Sequence, residues 1–211
     1  MRLPFTCPSI SLRLVFVLAL LLAPGAVLAR TILVVGDSLS ASYGIDVESG
    51  WVARLQQRLE EHKLNYKVIN ASISGDTTAN GRVRLPRALA QHEPAVVVLE
   101  LGGNDGLRGL PLEEMKRNLA AMIEESKKSG AEVVLIGIRL PPNYGPRYNE
   151  RFRAVYEDLA ARYRLPLVPF LLDGVYEQDG LMQPDGIHPT AAAQARMLDN
   201  VWPKLRPVLK R

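Results

Sequence analysis

The segment TILVVG at positions 31–36 is an unbroken apolar run that ends in a glycine. Such a run, without alternating polar residues, is typical of a strand that is buried on both faces of a sheet. Comparable apolar runs recur at positions 67–70, 95–101, 132–138 and 167–169. The sequence therefore predicts five short buried strands.

The segments between these strands carry helical patterns. Positions 51–59 repeat apolar residues at spacings of three and four, as an amphipathic helix does. Further helices are predicted at about 77–92, 112–129, 148–163 and 190–202, the last ending before a proline. Because strands and helices alternate, we expect one three-layer α/β domain, a parallel sheet with helices on both faces.

The first 29 residues have the order of a secretory signal. Arg2 and Arg13 precede a wholly apolar run at 14–23, and the small-residue ending Val-Leu-Ala closes the segment. The apolar run is too short to span a bilayer as a permanent anchor. We therefore predict a cleaved signal peptide over 1–29, a domain over 30–211 and a periplasmic or secreted product without a stable membrane anchor.

The cysteine content and the net charge exclude several classes of function. The only cysteine, Cys7, lies in the predicted signal, so a disulfide framework, a cysteine-ligated metal and a cysteine nucleophile are not expected. The net charge is +4 and no run of Lys or Arg marks a nucleic-acid stripe. We expect a monomer without a metal or cofactor.

Polar residues follow the predicted strands. Ligands of parallel α/β sheets bind beyond the carboxyl ends of the strands, so the loops there are the places to look for chemistry. These loops read GDSLS at 36–40, ASISGD at 71–76, GGND at 102–105 and RLPPNYG at 139–145, and PDGIHP follows at 184–189.

Ser38 is a candidate nucleophile at the end of the first strand. A serine hydroxyl is barely ionised at neutral pH and needs a base within hydrogen-bond reach. The alternative is that Asp37 and Ser38 only cap a turn, which such residues do well. On these residues alone, the turn is the better interpretation.

His188 is the histidine placed to serve as that base. His62 and His92 lie at polar helix ends, whereas His188 lies in a strand-end loop, three residues after Asp185. A tight turn between them would let the carboxylate orient the imidazole, as the third member of a catalytic triad does. Pro189 suits the first position of a helix, which would place His188 at the helix mouth.

Acyl transfer also needs hydrogen-bond donors for the developing oxyanion. Gly75 offers a backbone N–H, Asn104 offers a side-chain amide, and the backbone N–H of Ser38 is a third. One such donor is worth about 100–1,000-fold in rate. For each of these residues taken singly, an ordinary turn is the better interpretation.

Together the blocks form a recognisable set. GDSL at 36–39, Gly75, GND at 103–105 and DGIH at 185–188 occur in order across the domain. This set resembles the GDSL or SGNH hydrolase family, and the segments at 70–77 and 99–109 are similar to those of its exported acyl hydrolases.

The resemblance implies a fold and a set of roles. The sheet would have the flavodoxin-like order 2-1-3-4-5. Ser38 would attack the acyl carbonyl, His188 would carry its proton and Asp185 would orient His188. Ser38 N–H, Gly75 N–H and the Asn104 amide would form the oxyanion hole, and the substrates would be acyl thioesters, aryl esters and lysophospholipids. The loops suggest an apolar groove formed by Leu107, Leu110, Leu140, Pro141 and Tyr144.

Three other functions remain open from the sequence. A carbohydrate acetyl esterase would use the same residues. A metal-dependent phosphoesterase would use Asp37, Asp76, Asp105 and Asp185, whose carboxylates suit Mg²⁺. A non-catalytic periplasmic binding domain is the third.

Overall fold

A computed structural model describes residues 29–210 and contains one parallel sheet. The order of its strands is β2-β1-β3-β4-β5, which confirms the expected 2-1-3-4-5 topology. In the register, Leu33 of β1 lies between Ile69 of β2 and Val97 of β3. The strands are β1 Arg30–Gly36, β2 Tyr66–Asn70, β3 Val96–Glu100, β4 Glu132–Ile136 and β5 Leu167–Val168.

Helices cover both faces of the sheet, as the alternation predicts. They are α1 Trp51–Glu61, α2 Thr78–His92, α3 Gly103–Leu107, α4 Leu112–Lys128, α5 Pro146–Tyr163 and α6 Gln194–Leu205. Short 3-10 turns occupy Val47–Ser49, Pro142–Tyr144, Ala191–Ala193 and Arg206–Val208.

The core consists of two apolar layers separated by the sheet. Successive β1 side chains alternate between them, with Ile32 packing toward α1 and α6 and Leu33 packing toward α2, α4 and α5. Trp51 of α1 and Phe152 of α5 are fully buried, one in each layer. Burial of both faces explains why the strands are continuously apolar.

Three local predictions were wrong. GGND at 102–105 does not remain a loop, because α3 begins at Gly103. The last helix does not end before Pro203, which lies inside α6. Pro189 does not start a helix: it pairs with Met182 in an isolated β-bridge, and helical structure begins only at Ala191. His188 is therefore not at a helix mouth.

The predicted signal peptide over 1–29 lies outside the described residues, except for Ala29. Among residues 29–210, no helix is long and apolar enough to cross a bilayer.

Candidate active site

The carboxyl ends of β1 and β3 carry the centre of the candidate site. Gly36 ends β1, and a Cβ atom there would lie 2.6 Å from Oε2 of Glu100, the last residue of β3. Only glycine fits this approach, which lets the chain turn at once after the strand. The turn places Ser38, which is half-buried, just beyond the carboxyl end of β1.

His188 reaches Ser38 from the loop before α6. Its Nε2 lies 3.0 Å from Ser38 Oγ, and its Nδ1 lies 2.6 Å from Asp185 Oδ2. Gly186 has a φ of 66°, a conformation that favours glycine, and this turn brings the carboxylate back to the imidazole. With Nδ1–H held by Asp185, Nε2 is the nitrogen free to accept a proton from the hydroxyl.

Asp185 is held in its charged form. Its Oδ1 accepts hydrogen bonds from the backbone N–H groups of Ile187 and His188. The side-chain bond to His188, together with these backbone bonds, lowers the pKa of Asp185 to about 2. The carboxylate is therefore ionised throughout the neutral range and can stabilise a protonated imidazole.

Tyr43 covers one side of the histidine. Its ring centroid lies 4.4 Å from that of His188, at a tilt of 38°. The backbone oxygen of Tyr43 accepts a bond from Gln183 Nε2, and Gln183 N–H in turn donates to His188 O. Neither Tyr43 nor Gln183 was singled out in the sequence, because their contacts join segments about 140 residues apart.

The three predicted oxyanion donors follow the carboxyl ends of β1, β2 and β3. Within the described part of the chain, the N–H groups of Ser38 and Gly75 donate to no protein acceptor. Gly75 has a φ of 84°, a left-handed backbone conformation that favours glycine. The Asn104 amide nitrogen donates to Asp37 Oδ2 at 3.1 Å and to the backbone oxygen of Asp76 at 3.0 Å.

Two side chains, the half-buried Arg84 and the buried Asp105, hold these donor-bearing loops. Arg84 of α2 donates to the Asp76 carboxylate and to the backbone oxygens of Ala71 and Gly36, so it ties the Gly75 loop to the end of β1. Asp105 accepts bonds from the N–H and hydroxyl of Thr78, which anchors α3 to the start of α2. Arg84 was missed in the sequence, since nothing marks it off from other helical arginines.

The carboxylates that the sequence predicted as possible Mg²⁺ ligands bind other protein groups instead. Asp76 is paired with Arg84, Asp105 with Thr78 and Asp185 with His188. Among residues 29–210, no group of three His, Cys, Asp or Glu side chains is arranged to hold a metal ion.

A mainly apolar pocket opens beside Ser38. Of the predicted groove residues, Leu107, Leu140 and Pro141 line it, whereas Leu110 and Tyr144 do not. The Tyr144 hydroxyl instead donates to the backbone oxygen of Leu107, and Leu110 is exposed. The full lining is Asp37, Ser38, Leu39, Gly103, Asn104, Leu107, Ile138, Arg139, Leu140, Pro141, Phe170, Leu172, Tyr176, Gly186, Ile187 and His188.

Part of this lining comes from segments that the sequence analysis did not use. Phe170, Leu172 and Tyr176 follow β5. The position of Phe170 and Leu172 just beyond the carboxyl end of a strand is a signal that could have identified them.

Known proteins are similar to this chain in sequence and in fold. Residues 34–196 match the model of the GDSL-like Lipase/Acylhydrolase family. Esterase TesA of Pseudomonas aeruginosa is 56% identical over 192 residues, covering 91% of this chain and 96% of its own length. Thioesterase 1/protease 1/lysophospholipase L1 of Escherichia coli is 43% identical over 194 residues, covering 92% of each chain.

A solved structure agrees with these relatives. A crystal structure of TesA, 57% identical, superimposes with a TM-score of 0.84 and covers 85% of this chain and 100% of its own. A family model that matches most of the domain, together with relatives above 40% identity across nearly the whole chain, leaves one assignment. The chain belongs to the GDSL-like lipase/acylhydrolase family and is a hydrolytic enzyme.

Proposed function

We propose that the protein hydrolyses acyl esters and acyl thioesters through a Ser38–His188–Asp185 triad. The observation that carries this proposal is the unbroken chain of contacts from Asp185 Oδ2 through the imidazole to Ser38 Oγ, at 2.6 and 3.0 Å. These are the separations that nucleophilic catalysis by a serine needs.

The chemistry follows from this arrangement. Ser38 Oγ attacks the acyl carbonyl while His188 Nε2 takes the hydroxyl proton, which gives a tetrahedral intermediate. Collapse of that intermediate transfers the proton to the departing alcohol or thiol and leaves an acyl-serine. Water, deprotonated by His188, then releases the carboxylic acid and restores the serine.

For the oxyanion of each intermediate we propose three donors, the N–H groups of Ser38 and Gly75 and the side-chain amide of Asn104. Ser38 N–H and Gly75 N–H have no acceptor among residues 29–210, so they need not break a protein bond to serve it. The Asn104 amide is the third donor. Fixed donors in a site that excludes water stabilise a developing charge at little reorganisation cost.

The lining of the pocket favours substrates with a hydrocarbon chain. Ile138, Leu140, Phe170 and Leu172 supply an apolar surface beside Ser38. A sugar ring would need more polar partners than this wall offers, so a carbohydrate acetyl esterase is the less favoured alternative. The relatives named as thioesterase and lysophospholipase point the same way.

A substrate panel with a labelling control tests the proposal. We expect hydrolysis of aryl esters, acyl-CoA thioesters and lysophospholipids, and a loss of at least about 10⁴-fold in kcat for Ser38→Ala and for His188→Ala. A fluorescent organophosphonate should label the wild-type protein at one site, Ser38. Ser74→Ala, an exposed serine of the Gly75 loop, is the matched control and should label normally.

Two results would contradict the proposal. One is phosphonate label on a residue other than Ser38. The other is near-normal turnover by a folded His188→Ala variant.

Export is a separate proposal, which rests on the residue pattern of 1–29. Expression of the full chain in a bacterium, followed by fractionation and mass determination, should recover a periplasmic protein that begins at Arg30. Recovery of the uncleaved chain in the cytoplasm would refute it. We also propose a monomer, which light scattering of the mature protein tests.

A further inference from the structure

The Asn104 amide is held by two acceptors. Its nitrogen donates to Asp37 Oδ2 and to the backbone oxygen of Asp76. The two ends of an amide side chain differ in hydrogen bonding, and both of these neighbours accept. The nitrogen end must therefore face them, and the oxygen end must face away.

Asp37 makes this contact with one oxygen and a different contact with the other. Its Oδ1 accepts the backbone N–H of Leu39, which closes the turn that carries Ser38. Its Oδ2 meets Asn104, on α3 beyond the end of β3. Asp37 is 2% exposed and lines the same pocket as Ser38 and Asn104. One buried carboxylate thus joins the nucleophile turn to an oxyanion donor.

The charged groups near Asp37 affect the ionisation of its carboxyl group in opposite directions. His188 favours a negative charge on Asp37, whereas Asp76 opposes it but is itself neutralised by Arg84. Glu100, fully buried, lies directly behind: its Oε2 accepts from Ser40 Oγ at 2.6 Å and from the N–H of Asp37 at 3.4 Å.

Asp37 and Glu100 form a buried pair of carboxyl groups, of which Asp37 ionises more readily. Glu100 Oε1 has no partner among the described residues, so ionisation of Glu100 would leave charge on an unsolvated oxygen. Burial raises the pKa of Glu100 well above its ordinary value. Burial also raises the pKa of Asp37, but only to about 6, because its donors and His188 oppose the shift. Near neutral pH, Asp37 is ionised and Glu100 is the neutral member of the pair.

We propose that Asp37 is a positioning residue for the reaction, whose ionised carboxylate keeps the amide nitrogen of Asn104, rather than its oxygen, directed at the reacting carbonyl. The inference rests on the proposed function, in which Asn104 is an oxyanion donor. During catalysis the oxyanion accepts a hydrogen bond from an Asn104 N–H group that also donates to Asp37 or to the backbone oxygen of Asp76. Three-centre hydrogen bonds of this kind are common in proteins.

The variant Asp37→Asn separates this role from the capping of the turn. The new side chain keeps an oxygen for the N–H of Leu39, but then presents an NH₂ group to the NH₂ group of Asn104. Two facing donors repel each other and leave Asn104 held by the backbone oxygen of Asp76 alone, so its amide nitrogen is directed less firmly at the developing negative charge. Positioning is then weakened while the turn stays capped.

A double-mutant cycle tests the inference. We expect Asn104→Ala to lower kcat by about 100–1,000-fold and Asp37→Asn by about 10–100-fold, each with KM within about twofold of wild type. If Asp37 acts through Asn104, the double variant is no slower than Asn104→Ala alone. The control is Asp46→Asn, an exposed aspartate that caps Glu48 N–H in the same way but does not contact Asn104. It should retain wild-type kcat.

The outcomes are distinguishable. A double variant whose loss is the product of the two single losses would overturn the Asp37 inference and leave the proposed function intact. Wild-type kcat for Asn104→Ala would overturn both.

A second test does not depend on turnover, so it applies even if Asp37→Asn is poorly active for other reasons. In the Ser38→Ala background, the side-chain ¹⁵N–¹H signals of Asn104 should shift as the pH rises through about 6, and should lose that shift in Asp37→Asn. Retention of the shift in Asp37→Asn would count against Asp37 as its cause.

Discussion

His188 Nε2 lies 3.0 Å from Ser38 Oγ, although 150 residues of chain separate the two. The end of β1 supplies the serine, and the loop between β5 and α6 supplies the histidine. The parallel sheet makes this contact possible, because it places the carboxyl ends of β1 and β5 on the same side of the sheet. Asp185, which orients the histidine, comes from the same loop and needs only a local turn.

Asp185→Asn should lower kcat by about 100-fold or more, because the imidazole loses its charged partner and its fixed tautomer. The Asp185 side chain is 41% exposed, so water replaces part of the lost interaction and limits the effect. Steady-state kinetics at pH 7 measure this. Asp179→Asn, an exposed aspartate of the same loop, should match wild type. Equal activity of the two variants would show that Asp185 does not support the base.

The pH dependence of stability at Asp185 has a defined sign. Its pKa is lowered from the ordinary 3.8 to about 2 in the folded protein. Its contribution to the free energy of unfolding is therefore present above pH 3.8 and lost as the pH falls through 2. Urea unfolding should show that the stability difference between wild type and Asp185→Asn narrows between pH 5 and pH 2. A constant difference would contradict the lowered pKa.

Asp37→Asn should behave in the opposite way. Burial raises the pKa of Asp37 from 3.8 to about 6, so the folded state binds that proton more tightly than the unfolded state does. The wild type therefore loses stability relative to the variant as the pH rises from about 4 to above 6. Urea unfolding at pH 3 and pH 8 measures the change. A variant that is more stable at pH 8 yet slower in turnover would illustrate a site where function costs stability.

Tyr176→Ala should change the preference for acyl chain length. Tyr176 lines the pocket and is 38% exposed, so its removal strips apolar surface from the wall with little effect on the core. We expect kcat/KM for a decanoyl aryl ester to fall about tenfold and that for an acetyl ester to change little, since only the long chain reaches this wall. Tyr163→Ala, whose hydroxyl bonds Glu124 away from the pocket, is the control. Equal losses on both esters would mean that the acyl chain binds elsewhere.

Chelation should leave ester hydrolysis unchanged. The carboxylates of Asp76 and Asp105 are already bound to Arg84 and Thr78, so these two are not free to ligate Mg²⁺ together. Activity after dialysis against EDTA, with and without added magnesium, measures this. Loss in EDTA that magnesium restores would favour the phosphoesterase alternative over the serine mechanism.

Most of the fold could be predicted from local patterns. The apolar runs beginning at positions 31, 67, 95 and 132 identify the strands because both faces of the sheet are buried, and all four fall within about two residues of the observed bounds. The errors fell where local signals conflict with packing. α3 begins in a glycine pair that predicts a loop, and Pro203 is accommodated inside α6 instead of ending it.

The site divides in the same way. The four blocks predict which residues carry the chemistry, because serine, glycine, asparagine and histidine at strand ends have few joint explanations. Only the tertiary structure decides which of them meet, which way the Asn104 amide faces, and that Arg84 ties two loops together. It also decides that Glu100, an unremarkable strand residue in the sequence, is a buried partner of Asp37. Sequence records which groups the chain possesses, whereas burial and distance, which set their pKa values and orientation, exist only once the sheet has assembled.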